Sequence, residues 1–147
     1  MLVKGRWREF PDEITRPIIE AQVLTATGEW KAVAFQLDGG ADRTVLEVRL
    51  LPWLTPLAVP TSRMPRIGGV GGLVGATLAD TRLGFTRDDG GLVTVNGPFA
   101  VFTEAESSDI SILGRDVTDN FDVIYSYPKR EVLLLAAPHT YVTQLPF

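Results

Sequence analysis

A chain of 147 residues has room for one hydrophobic core and little for a second, and its 45% hydrophobic content is that of a packed domain. A formal net charge of -4, with basic residues scattered, argues against a nucleic-acid surface. With no cysteine there can be no disulfide, thiolate nucleophile or thiolate-held zinc, and the lone His139 rules out a histidine-rich metal site and argues against a Ser-His-Asp triad.

The opening MLVKGRWREF has no apolar stretch of the secretory type, and the longest apolar run, residues 132–138, is strand-sized. The expectation is therefore a cytoplasmic protein without membrane contact. Lys4, Arg6 and Arg8 are followed by Glu9, Asp12 and Glu13 and read as a solvated face. Residues 14–23 read as a strand, with Pro17 marking an edge or a strand start. After a turn at 25–29, residues 30–37 form a second strand, alternating Val33, Phe35 and Leu37 against Ala32, Ala34 and Gln36. That hairpin delivers Asp38 at its end. Gly39 and Gly40 are expected to reverse the chain at positive φ, holding one carboxylate at a tight turn against a packed strand. Residues 44–51 continue extended or as a brief helical turn near Glu47. Pro52, Pro56 and Pro60 then impose an irregular apolar connection around Trp53 and Leu57.

The run from Ile67 to Val74 holds too many glycines for a helix and reads as a hairpin tip. Strands follow at 76–85 and 92–95, turning at Asp89-Gly90, and another at 99–103 after the turn at Asn96-Gly97. Residues 111–113 make a short buried strand ending at Gly114, 116–121 a short helix, and 121–127 with 131–136 a final hairpin. No internal repeat is present. The whole is a single domain over residues 1–147, mainly β with one short helix, its core spanning about residues 14–136.

Rival readings of these motifs are weak. The glycine run has neither GxGxxG spacing nor the Lys-Ser/Thr of a phosphate loop. Asp116, Asp119 and Asp122 lack the glycine and terminal glutamate of a calcium loop, and Asp116 is better placed as a helix-starting acid. Asp89-Gly90-Gly91 repeats the letters of the Asp38 turn but follows Thr86-Arg87-Asp88 and not an apolar strand, so it reads as a solvent hairpin. Trp7, Trp30 and Trp53 read as packing residues, and His139 as an exposed tail residue.

The stretch Phe35-Gln36-Leu37-Asp38-Gly39-Gly40-Ala41-Asp42-Arg43-Thr44-Val45-Leu46 resembles the active-site loop of the retropepsins, the retroviral-type aspartic peptidases. Their pattern is apolar-Asp-Thr/Ser-Gly-Ala-Asp/Ser-x-Thr, and Gly39 stands here where that family has Thr or Ser. Arg16-Pro17-Ile18, the run Ile67 to Leu73 and Ile112-Leu113-Gly114-Arg115-Asp116 resemble three further family segments in the family's order. Together they cover roughly residues 16–135.

The resemblance implies a retropepsin-like acid protease fold: a closed β barrel with a glycine-rich flap hairpin and one short C-terminal helix, working as a homodimer. It implies an aspartic endopeptidase in which the catalytic Asp38 meets its own copy on a two-fold axis, since the chain carries one convincing acid loop. The active-site loop would be Gly39, Gly40, Ala41 and Asp42. Ile67, Gly68, Gly69, Val70, Gly71, Gly72 and Leu73 would form the flap over a peptide substrate, with the Val70 N–H reaching a bridging water. Arg43, Val45 and Ile112 would line the substrate pocket. Asp42 would pair with Arg115 of its own chain and with Arg16 of the partner subunit. No cofactor and no metal is implied. Gly39 lacks the hydroxyl that braces the family's dyad, which implies a weaker dimer and impaired catalysis. The alternatives from other classes are a non-catalytic dimeric peptide-binding module and a structural β domain with a chance Asp-Gly-Gly turn.

Overall fold

Alternation of apolar and polar residues makes residues 15–37 a hairpin with one buried face. In the computed structural model, which describes residues 1–60, 66–69, 72–104 and 110–144, this hairpin is β3 (Thr15–Leu24) and β4 (Trp30–Leu37). They pair antiparallel from Ile18↔Gln36 to Leu24↔Trp30, turning at Gly28, whose φ of 84° suits glycine. Ile19, Val23, Val33 and Phe35 from the two strands are almost fully buried. Pro17 lies where β3 pairs only with β2 (Arg6–Glu9), so its missing N–H leaves no central ladder broken.

The other elements are β1 (Leu2–Lys4), β5 (Val45–Leu46), α1 (Leu51–Leu54), β6 (Arg66–Gly69), β7 (Gly72–Ala79), β8 (Arg82–Thr86) and β9 (Leu92–Asn96). They continue with β10 (Phe99–Phe102), β11 (Ser111–Leu113), α2 (Arg115–Thr118), β12 (Asp122–Ser126) and β13 (Glu131–Leu135). One sheet runs β6-β7-β10-β5-β11-β4-β3-β8-β9, with β2 also on β3. A smaller sheet, β1-β13-β12, joins the two ends of the chain through Leu2↔Leu135 and Val3↔Leu134. Between them lies a core in which Phe35, Phe85, Phe99, Leu46, Leu113 and Leu134 are almost wholly buried. No helix of the described residues is long and apolar enough to cross a membrane.

Several sequence expectations are corrected. The sheet is not closed as a barrel, because β6 and β9 each have a neighbour on one side only among the described residues. Residues 48–57 are successive helical turns and not an irregular connection. Pro52 and Pro56 sit at the first positions of those turns, where a missing N–H costs nothing. The strand expected over 76–85 is two strands parted at Asp80 and Thr81, where the Thr81 hydroxyl bonds to the Leu24 carbonyl. The late helix covers Arg115–Thr118 and not 116–121, and α1 is a second helix where one was expected. Residues 2–9, without a clear period, form β1 and β2 because β13, from the far end of the chain, holds the first and the adjoining β3 holds the second.

Candidate active site

The loop after β4 is built between two strands that a third strand separates. β11 runs parallel to β4 through Ile112↔Gln36 and Leu113↔Leu37, and antiparallel to β5 through Ile112↔Val45. The strand entering the loop and the strand leaving it are thus held apart by a common neighbour. Asp38 continues the ladder, its N–H donating to the Leu113 carbonyl at 3.1 Å.

At Asp38 the chain turns by an Asx arrangement. Asp38 Oδ1 accepts the Gly40 N–H at 2.9 Å, and the Asp38 carbonyl accepts the Ala41 N–H at 3.2 Å. Neither Gly39 nor Gly40 has a positive φ, contrary to the sequence expectation, since the carboxylate closes the turn without left-handed backbone. A Cβ at Gly39 would meet nothing within 4 Å. Asp38 itself is half-buried and Gly39 exposed.

The far side of the loop is fastened to the start of α2. The Arg115 N–H donates to the Ala41 carbonyl at 2.8 Å and the Asp116 N–H to the Asp42 carbonyl at 3.3 Å. Asp116 Oδ1 accepts both the N–H and the hydroxyl of Thr44, at 2.8 and 2.7 Å, and Thr44 Oγ1 in turn accepts the Gly114 N–H at 3.0 Å. Gly114 leaves no space for a side chain, because a Cβ there would stand 2.4 Å from the Arg43 carbonyl carbon. On β11, the buried Ser111 hydroxyl accepts the Glu47 N–H at 3.0 Å. Thr44, Asp116 and Ser111 are the bracing residues that sequence reasoning passed over. The signal available was the Thr of the loop pattern, and a helix-starting acid next to the apolar-Gly-Arg segment.

The other expected site residues lie as follows. Arg115 Nη2 donates to Asp42 Oδ1 at 2.8 Å, with both side chains more than half exposed. Arg16 holds Asp12 of its own chain, with Nη1 and Nη2 at 3.0 and 2.6 Å from the two carboxylate oxygens. Arg43 is exposed and Ile112 half-buried, whereas Val45 is only 2% exposed and packs with Ala76, Ala100 and Phe102. β6 and β7 pair antiparallel through Ile67↔Val74, Gly68↔Leu73 and Gly69↔Gly72. Val70 and Gly71, the expected tip, lie outside the described residues. Surface cavities of about 480, 500 and 340 Å³ are among those that open on the described residues; Asp38 lines none of these three, and Asp116 lines the first.

No protein-family model matches the chain, and no curated protein does. Among solved structures the fold is similar to that of retropepsin-like aspartic proteases. A retropepsin-like aspartic protease from Rickettsia conorii superposes with a TM-score of 0.53 at 16% identity, over 91% of this chain and 97% of that one. The EIAV protease, solved with the inhibitor HBY-793, aligns at 23% identity over 75% of this chain and 90% of its own, with a TM-score of 0.46. The mainly β chain thus has a retropepsin-like fold.

Proposed function

We propose that the chain is one subunit of a homodimeric aspartic endopeptidase in which Asp38 and its copy form the catalytic pair. The observation that carries this reading is a single half-buried carboxylate on a loop fastened at both ends, in a fold similar to that of aspartic proteases. Two carboxyl groups about 3 Å apart share one proton, because both cannot ionise so close together. The charged member takes a proton from water while the water oxygen attacks the scissile carbonyl carbon. The protonated member gives its proton to the carbonyl oxygen. Collapse of the tetrahedral diol then breaks the C–N bond as the protonated member gives its proton to the amide nitrogen and the charged member takes a hydroxyl proton from the diol, which leaves an acid, an amine and the one-proton dyad.

The hairpin of β6 and β7 is the flap in this reading, laying backbone over an extended substrate. Arg43 and Ile112 flank the loop at the surface, and Val45 supports the pocket wall from beneath. Arg16 would have to release or share Asp12 to reach Asp42 of a second subunit.

Gly39 favours the second reading, a dimeric module that binds peptides without cutting them. The family's hydroxyl brace is absent, yet the open space around the position leaves room for one. The deciding experiment is Gly39→Thr assayed against a pool of apolar peptides across about pH 4 to 7, with Asp38→Ala as control. Turnover that rises in the first variant and vanishes in the second supports the endopeptidase. A tightened dimer that binds peptides and cleaves none assigns the module.

A further inference from the structure

We infer that the open seam of the large sheet, along β9, is a second peptide site that takes an extended segment carrying a lysine or arginine. β9 pairs only with β8 among the described residues. The bonds Arg87 N–H to Gly91 O and Gly97 N–H to Thr81 O fix which β9 groups face β8. By antiparallel alternation, Leu92, Thr94 and Asn96 turn their backbone N–H and C=O outward. The strand has no charged residue and no proline, the usual devices that protect an edge from pairing.

The edge faces a groove of about 480 Å³, within the usual range of ligand clefts. Val93, Val95 and Phe121 give it apolar walls, Asn96 and Asn120 give amide groups, and Asp116 is the one charged side chain of its lining among the described residues. The Met1 ammonium, also at the groove, is already held by the Ala136 and Ala137 carbonyls. Both hydrogen bonds of the Asp116 carboxylate use Oδ1, which leaves Oδ2 to meet a cation. A bare ladder edge selects an extended backbone, and a single carboxylate opposite it selects a basic side chain. Asp116 also holds Thr44, so an occupant of the seam touches a group that fastens the Asp38 loop.

The test is fluorescence anisotropy of a labelled Thr-Val-Lys-Val-Thr-Val peptide and of its counterpart with Glu for Lys, titrated with the Asp38→Ala protein. Catalysis plays no part in this readout, so failure of the endopeptidase reading leaves it untouched. The Lys peptide should bind saturably and more tightly than the Glu peptide. Thr94→Pro removes an outward N–H while sparing the ladder to β8, and should weaken binding about tenfold with the thermal midpoint kept. Asp116→Asn should erase the preference for Lys while retaining binding. Binding indifferent to Thr94→Pro, equal binding of both peptides by the parent, or no saturable binding would each overturn the inference. So would a self-dimer that Thr94→Pro dissolves and that takes no peptide, since a second copy would then own the edge.

Discussion

The Thr44 hydroxyl accepts from the Gly114 N–H and donates to Asp116; its removal strands the Gly114 N–H, whereas the exposed Asp116 carboxylate keeps the Thr44 N–H. Both Thr44 and Gly114 are buried, and water has little access to replace the lost partner. Thr44→Val should therefore destabilise the chain by about 1–3 kcal/mol, and Thr44→Ser by less than about 1 kcal/mol. Urea unfolding of the three proteins checks this; equal midpoints for Val and Ser would mean that the hydroxyl fastens nothing. Gly39 is the opposite case. Its φ is not positive and its surroundings are empty, so Gly39→Thr should change the stability of the isolated chain by no more than about 0.5 kcal/mol. Any larger gain in self-association then belongs to the hydroxyl across the interface. Asp38 and the loop letters were legible in the sequence. The partners of Thr44 were not, because Asp116 lies on an element more than seventy positions away in the chain.

The connection between β2 and β3 shows how an element end sets a pH response. Asp12 Oδ1 accepts the Ile14 N–H, and both its oxygens bond Arg16 at the start of β3. Phe10 lies beneath, with the Arg8 and Arg16 guanidinium carbons 4.5 and 4.8 Å from its ring centre. The Arg16 guanidinium, with help from the Ile14 N–H, lowers the Asp12 pKa from 3.8 to about 2. The folded value is below the unfolded one, so the stabilisation is complete above about pH 4 and fades as the pH falls toward 2. Asp12→Asn should be less stable than the parent at pH 5, with the two converging by about pH 2. Denaturation at several pH values measures this, and a gap that widens on acidification would contradict the assigned cause. The ion pair itself was not legible, since Glu9, Asp12 and Glu13 offer Arg16 several acids and only the turn chooses one.

At the scale of the whole molecule, the proposed endopeptidase, with one Asp38 per chain, would need two chains for catalysis. Sedimentation velocity at rising concentration should reveal a dimer that strengthens in Gly39→Thr. A strict monomer at millimolar concentration would end the endopeptidase reading. Any peptide turnover should follow a bell-shaped pH profile whose two limbs belong to the pair jointly. A profile flat across acid pH would point to another chemistry.

The sequence by itself determined the hairpin of β3 and β4, the acid at its end, the glycine-rich pair of strands and the mainly β class. These depend on short-range alternation and turn chemistry, which a few neighbouring residues express fully. Only the tertiary structure decided that β11 parts β4 from β5, that Gly114 must be bare against Arg43, and that residues 2–4 close against 133–135. It also decided that, among the described residues, β9 pairs with β8 alone. Each of these is a contact between segments far apart in the chain, whose meeting is set by how the sheets twist and pack and not by any local pattern.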